Sequence, residues 1–257
     1  MVSPLSRYGD FVQQLAAASA EKVMPFFMNP DLQVDVKQDN SPVTKADRAA
    51  ELCLREMIEK RYPEHGIVGE EFGNLRSDAE FVWVLDPIDG TFSFANGCHL
   101  FGTLIALLRD GEPLIGAIHM PALGKLMIGD GQQTLLDGRP VRVRQTAQLE
   151  QALLLTTDQQ SVSKYREVAG FDKLVATVNR VRTWGDCYGY FLLAGGWGDL
   201  MIDPKMSPWD LMALIPVVRG AGGVITDWYG GNPTRGDSIV AGSPALHPLA
   251  IEILGAG

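Results

Sequence analysis

The sequence predicts a mixed α/β chain, with an antiparallel meander in its first half and alternating strands and helices in its second. Three observations carry this. Residues 102–108, 114–120 and 125–128 are apolar runs, and Asp110-Gly111 marks a hairpin turn between the first two. Beyond about residue 150, short apolar strands alternate with helical patterns, the signature of α/β architecture. The 257 residues are 46% hydrophobic and 21% charged, enough for a substantial core in one large unit or two modest ones.

Taken in order, Leu5, Phe11, Leu15, Ala18 and Val23 recur at helical spacing, so residues 5–28 read as an amphipathic helix ending near Pro25 and Pro30. Ser41-Pro42 marks a turn, and Thr44-x-x-Asp47 has the form of a capping box opening a helix through about Arg61. Phe81 to Leu85 reads as a buried strand that ends in Asp86, since Pro87 cannot continue a ladder. After the meander, Arg139 to Arg144 continues as edge strand with charged outward faces. The second half reads as strands at 152–157, 178–183, 198–202, 223–226 and 239–241. Helices are expected at 161–170, 186–195, 209–219 and 246–254. There is no internal repeat, low-complexity segment or flexible linker. Residues 1–150 and 151–257 are therefore expected to be two halves of one compact unit, divided by a change of architecture near Glu150.

Composition excludes several classes. A formal charge of -9 disfavours nucleic acid as the main partner, because duplex binding needs a basic stripe. No apolar run approaches membrane-spanning length, and the start lacks a secretory h-region, so a cytoplasmic protein is expected. Cys53, Cys98 and Cys187 are odd in number and widely spaced, which fits neither a disulfide framework nor a zinc site. The four histidines are scattered, and there is no Walker A, G-x-S-x-G or H-E-x-x-H pattern.

The chemistry concentrates in Asp86-Pro87-Ile88-Asp89-Gly90-Thr91. Two carboxylates at the mouth of a buried strand repel each other and lose solvation unless a cation sits between them. Gly90 lets the backbone approach a ligand, and N–H groups at a helix start suit an anion. Metal-assisted phosphate chemistry follows, although Asp, Pro and Gly also form ordinary turns. An EF-hand loop does not fit: counting from Asp86, positions three and twelve are Ile88 and Gly97, where oxygen ligands are required.

This segment resembles the signature of the inositol monophosphatase family of magnesium-dependent, lithium-sensitive phosphatases. Further motifs follow its order: Lys37-x-Asp39-x-Ser41-Pro42-Val43-Thr44-x-Ala46-Asp47, Gly69-Glu70-Glu71, Trp209-Asp210 and Ala221 to Asp227. Each has a plainer reading beside it. Asp47 could cap a helix, Glu70 and Glu71 could be solvated loop acids, and Asp210 could favour a helix dipole. The resemblance, spanning about residues 36–228, implies a sandwich of alternating helix and sheet layers, αβαβα, and a homodimer. It also implies two to three Mg²⁺ per subunit. Glu70, Asp86 and the Ile88 carbonyl would hold one ion, and Asp86, Asp89 and Asp210 the second, with a third, weaker ion at Glu70. Gly90 and Thr91 N–H groups would bind phosphate. The Thr91 hydroxyl, polarised by Asp47, would help deprotonate the attacking water, with Lys37, Asp39 and Glu71 in support.

Within the family, Asp186-Cys187-Tyr188 and Phe101 to Leu107 resemble the histidinol-phosphate phosphatase branch. A carboxylate at Asp186 would suit a cationic amino group better than a polyol hydroxyl, or it could cap the helix that follows it. Arg182 and Asp203 are the other expected substrate contacts. Asp203 stands where family members usually carry Glu, which shortens its reach by one methylene. The expected reaction is hydrolysis of L-histidinol phosphate to L-histidinol and phosphate. Inositol monophosphate comes next, with sugar bisphosphates and 3′-phosphoadenosine phosphate behind it, and a non-catalytic metal- or phosphate-binding regulator last.

Overall fold

Side chains alternate across a strand, and in this protein that alternation sorts the chain into five layers. The computed structural model describes residues 3–36 and 42–255, so Lys37 and Asp39 lie outside the described residues. Helix α1 (Pro4–Val23) starts where Ser3 accepts the Ser6 N–H at 3.2 Å and Pro4 takes the first helical position. It ends at Val23 rather than Met28, passing into a 3₁₀ turn (Met24–Phe26) that holds Pro25. Strands β1 (Val34–Val36) and β2 (Pro42–Thr44) pair antiparallel and lead into α2 (Lys45–Arg61). The expected capping box is formed: Thr44 N–H donates to Asp47 Oδ2 at 2.8 Å, and Ala46 N–H donates to Thr44 Oγ1 at 3.1 Å.

Next come β3 (Gly66–Gly69), β4 (Gly73–Leu75), β5 (Phe81–Asp89) and the short helix α3 (Thr91–Ala95). Strands β6 (Gly102–Arg109), β7 (Glu112–Met120), β8 (Lys125–Gly129), β9 (Thr134–Leu136) and β10 (Arg139–Pro140) follow. These make an eight-stranded sheet in the order β10-β9-β8-β7-β6-β5-β3-β4. The expected meander runs from β5 to β10, and β3 joins β5 in parallel. The expected strand at 139–144 shortens to Arg139–Pro140. Val141 N–H still donates to the Thr134 carbonyl of β9 at 3.0 Å; beyond it the chain leaves the sheet, and Val143 N–H donates to the Ala221 carbonyl at 3.0 Å.

The second half contains β11 (Leu153–Leu155), α4 (Gln159–Tyr165), α5 (Val168–Thr177), β12 (Arg180–Arg182), α6 (Asp186–Ala194) and β13 (Leu200–Asp203). After these come α7 (Pro208–Leu211), α8 (Leu214–Gly220), β14 (Val224–Thr226), β15 (Ile239–Gly242) and α9 (His247–Leu254). The second sheet has the order β12-β11-β13-β15-β14, parallel on its first three strands and antiparallel beyond. Two expected helices are each divided. Residues 161–170 split at Arg166, which is extended, and 209–219 splits after Leu211. Pro216 explains the second break, because it has no N–H to offer the Met212 carbonyl and its ring crowds it.

The layers follow from strand parity. Trp83, Leu85, Ile105, Leu107 and Ile115 pack against Leu15, Leu54 and Ile58 of α1 and α2. Their neighbours Val84, Leu104, Ala106 and Leu108 turn the other way, onto α6 and α8. Those two helices also carry Leu155, Met201 and Ala241 of the second sheet in the same core, so one apolar interior crosses residue 150. The far face of that sheet, with Leu154, Leu200 and Val240, is covered by α5 and α9. The order is α, β, α, β, α. Among the described residues no helix is long and apolar enough to cross a membrane.

Candidate active site

The central strand does not stop at Asp86 but runs on to Asp89. Asp86 lies opposite Leu104 and Asp89 opposite Gly102, so β5 takes three steps where β6 takes two. On a regular strand, residues three apart point to opposite faces. The extra residue cancels that mismatch and turns both carboxylates to one side. Inside the bulge, Ile88 N–H donates to Asp86 Oδ1 at 3.0 Å, and the Pro87 carbonyl accepts the Thr103 hydroxyl at 2.8 Å.

Asp210 comes to the same place from the first turn of α7, where its Oδ2 accepts the Ser207 N–H at 2.9 Å. Oxygens of Asp86, Asp89 and Asp210 lie within 4.8 Å of one another. Asp86 is buried, and its carboxyl is pushed well above the usual range, first by desolvation and then by the charges of Glu70, Asp89 and Asp210. Asp89 is raised in the same way, by burial and then by Asp186 and Asp210. Glu70 reaches Asp86 from the turn after β3, where its N–H donates to the Leu85 carbonyl at 3.3 Å. Like charges this close do not ionise together without a compensating cation. The donor set is all oxygen and fits Mg²⁺. The nearby Cys187 thiol is buried against Met120 sulfur at 3.7 Å.

Gly90 follows in the left-handed region, with φ of 82°, and a Cβ there would fall 2.9 Å from Asp186 Oδ2. Both conformation and space call for glycine. Thr91 has one hydroxyl proton and two acceptors, the Ile88 carbonyl at 2.9 Å and Asp47 Oδ1 at 3.4 Å. Asp47 is buried, which raises its pKa to about 6 against the lowering effect of its bonds to Thr44. The Glu71 charge pushes in the same direction as the burial.

From the second half, Asp186 opens α6 at a positive φ of 49°, its N–H donating to Thr157 Oγ1 at 2.8 Å. The cap position before it is Gly185, which has no side chain to offer, and among the described residues no hydrogen bond reaches the Asp186 carboxylate. Burial, then the charges of Asp203 and Asp210, raise its pKa to about 7. With Asp89, Asp203 and Asp210 it lines a cleft of about 230 Å³. Asp203 is part of the wall: one oxygen accepts Thr157 N–H at 2.9 Å and the other the Tyr190 hydroxyl at 2.8 Å. Arg182 is not brought to the cleft. It is exposed on the edge strand β12 and donates to the Val181 carbonyl at 2.7 Å.

Two residues that the sequence did not single out hold the Glu70 turn. Glu51 is fully buried on α2 and accepts the Glu71 and Phe72 N–H groups, while Arg55 pairs with it at 2.8 Å. Their four-residue spacing was the available signal, and it reads equally as a surface ion pair.

A layered α/β fold that closes an all-oxygen acidic cleft around a Gly-Thr turn is that of a phosphoric monoester hydrolase. The chain belongs to the inositol monophosphatase family, which it matches over residues 5–256. It is 41% identical over 264 residues to the bifunctional phosphatase IMPL2, chloroplastic, of Arabidopsis thaliana, covering 97% of this chain and 75% of that protein. It is 37% identical over 250 residues to the histidinol-phosphatase of Chlorobaculum parvum, covering 95% and 96% of the two. Its structure resembles that of an inositol monophosphatase from Zymomonas mobilis, with a TM-score of 0.86 and 39% identity over 96% of this chain and 98% of that one.

Proposed function

We propose that this phosphatase hydrolyses L-histidinol phosphate to L-histidinol and phosphate, with Mg²⁺ held by Glu70, Asp86, the Ile88 carbonyl, Asp89 and Asp210. The observation that carries the substrate is Asp186, a carboxylate lining the cleft that no hydrogen bond among the described residues engages. Such a group repels the phosphate end of a substrate and suits an ammonium at the other end. The relative from Chlorobaculum parvum, a histidinol-phosphatase, supports the same reading.

Bound Mg²⁺ would neutralise the phosphate oxygens and make a water nucleophilic near neutral pH. The Gly90 and Thr91 N–H groups would hold the phosphate. Thr91 Oγ1 takes a proton from the attacking water as its own proton passes to Asp47 Oδ1, the second acceptor in its reach. A pKa near 6 leaves Asp47 ionised at neutral pH yet able to accept that proton. Glu71, Lys37 and Asp39 would support the ligands. In this reading the enzyme is a cytoplasmic homodimer, and the free thiols of Cys53, Cys98 and Cys187 suit a reducing compartment.

Inositol monophosphate is the second reading, favoured by the similarity to the Zymomonas mobilis structure. Phosphate release with Mg²⁺ from L-histidinol phosphate, inositol monophosphate, a sugar bisphosphate and 3′-phosphoadenosine phosphate separates them. The highest kcat/KM is expected on L-histidinol phosphate. A higher value on inositol monophosphate would overturn the assignment.

A further inference from the structure

Both peptide units that flank the Cα of Glu70 are pinned, and to different elements. The Glu70 N–H donates to the Leu85 carbonyl of β5 at 3.3 Å. The Glu71 N–H donates to Glu51 Oε2 of α2 at 2.7 Å, and Phe72 N–H donates to Glu51 Oε1 at 3.2 Å. Arg55 completes the clasp, its Nε on Glu51 Oε1 at 2.8 Å and its Nη2 on the Gly73 carbonyl. A Cβ at position 69 would lie 2.0 Å from Glu51 Oε1, so Gly69 keeps the space that the carboxylate fills. Asp47, Glu51 and Arg55 are spaced by four and lie on one side of the helix.

A Glu–Arg pair at this spacing would support a helix equally well in water. Here the Glu51 carboxylate is fully buried, at a desolvation cost that the helix alone does not require. What its burial achieves is a fixed backbone for the turn that bears Glu70.

We propose that Glu51 and Arg55 are positioning residues that set the Glu70 turn before any cation arrives, and so set the affinity for Mg²⁺. The inference rests on the reading of Glu70 as a metal ligand. Preorganisation of this kind acts on cation binding and leaves the substrate's own contacts alone.

The test titrates Mg²⁺ into the metal-free protein without substrate, following thermal shift or heat of binding, for wild type, Glu51→Gln and Glu70→Gln. Glu51→Gln should raise the half-saturating Mg²⁺ concentration by roughly 10-fold or more, the scale on which groups behind metal ligands act. At saturating Mg²⁺ its KM should stay within about twofold of wild type. If Glu70→Gln shifts the titration and Glu51→Gln does not, the positioning role is overturned and the ligand reading stands. If Glu70→Gln leaves the titration unchanged, both fall. Amide exchange on the wild type keeps the matter decidable should Glu51→Gln not fold. The Glu71 and Phe72 amides should be protected without metal, and protection that appears only on adding Mg²⁺ would show that the ion orders the turn instead.

Discussion

The carboxylate of Asp89 accepts the backbone N–H of Cys187, 98 positions away, so the end of β5 caps the helix that begins with Asp186. The first turn of α6 thus has its acceptor already, and it comes from the other sheet. Asp186 is released from that task and borders the cleft beside Gly90.

Replacing Asp186 tests that division of labour. Asn tolerates the left-handed backbone at this position and keeps the side-chain shape while removing the charge. Asp186→Asn should cost about 1.5–3 kcal/mol in kcat/KM on L-histidinol phosphate, the scale of a hydrogen bond to a charged group. Inositol monophosphate should be spared. Equal losses on the two substrates would assign Asp186 to structure.

The acidic cluster predicts an unusual pH dependence. Asp86, Asp89 and Asp186 are all raised in the folded protein above an unfolded value near 3.9, Asp186 to about 7. The folded state then binds more protons than the unfolded, so their contribution is full below about pH 4 and is lost as pH rises through the folded values. His65, His119 and His247, lowered by burial, act in the opposite sense as pH falls below about 6.5. The Mg²⁺-induced rise in Tm isolates the cluster from them, and it should be larger at pH 8 than at pH 5. Chelation should also abolish phosphate release. Full activity in excess EDTA, or a Tm at pH 8 indifferent to Mg²⁺, would count against metal at this site.

Thr91→Ala and Asp47→Asn remove the two ends of the proposed proton path. Each should lower kcat by roughly 10²-fold or more while KM moves little. Asn at 47 keeps an oxygen for the Thr44 N–H, so the start of α2 should survive. A loss confined to KM would mean that the pair only binds substrate.

A structural prediction concerns Gly116 of β7. A Cβ there would lie 2.1 Å from the carbonyl oxygen of Ala213, in the break between α7 and α8. Backbone cannot swing aside as a side chain can, so Gly116→Ala should destabilise by about 1–3 kcal/mol in urea unfolding. The displaced segment follows directly on the turn bearing Asp210, and the Mg²⁺ titration should weaken as well. An unchanged unfolding midpoint would show that the approach relaxes freely.

What the sequence revealed depended on contiguity. Asp86 to Thr91 are neighbours in the chain, and their chemistry is legible as a word. The capping pair Thr44 and Asp47 is legible for the same reason. Glu51 was not, because its partners at Glu71 and Phe72 are supplied by a loop 20 and 21 residues on, and burial leaves no mark on a Glu-Arg spacing. Asp203 was found as a carboxylate near the cleft, but the hydroxyl that occupies it belongs to Tyr190 on another element. Arg182 was placed by its sequence neighbours, whereas pairing with β11 alone leaves it on the rim of the second sheet. The break in the 209–219 helix was a misreading whose cause, Pro216, stood in plain view, as Pro25 did for the early end of α1.

The bulge in β5 has a consequence for how this chain tolerates change. The bulge between Asp86 and Asp89 is held through the backbone of Pro87 and Ile88, so it does not itself dictate their side chains, although Ile88 must still fill an apolar core with Phe94 and Phe101. The number of residues is what it fixes. Deleting one residue would restore the regular two-residue alternation and leave the carboxylates an even distance apart on an unbulged strand, shortening the span to the Gly90 turn by a full step. Adding one with the bulge kept would send Asp89 to the opposite face, into the layer of Leu85 and Ile105. Over homologous sequences this segment should therefore accept substitutions at its interior positions while never gaining or losing length.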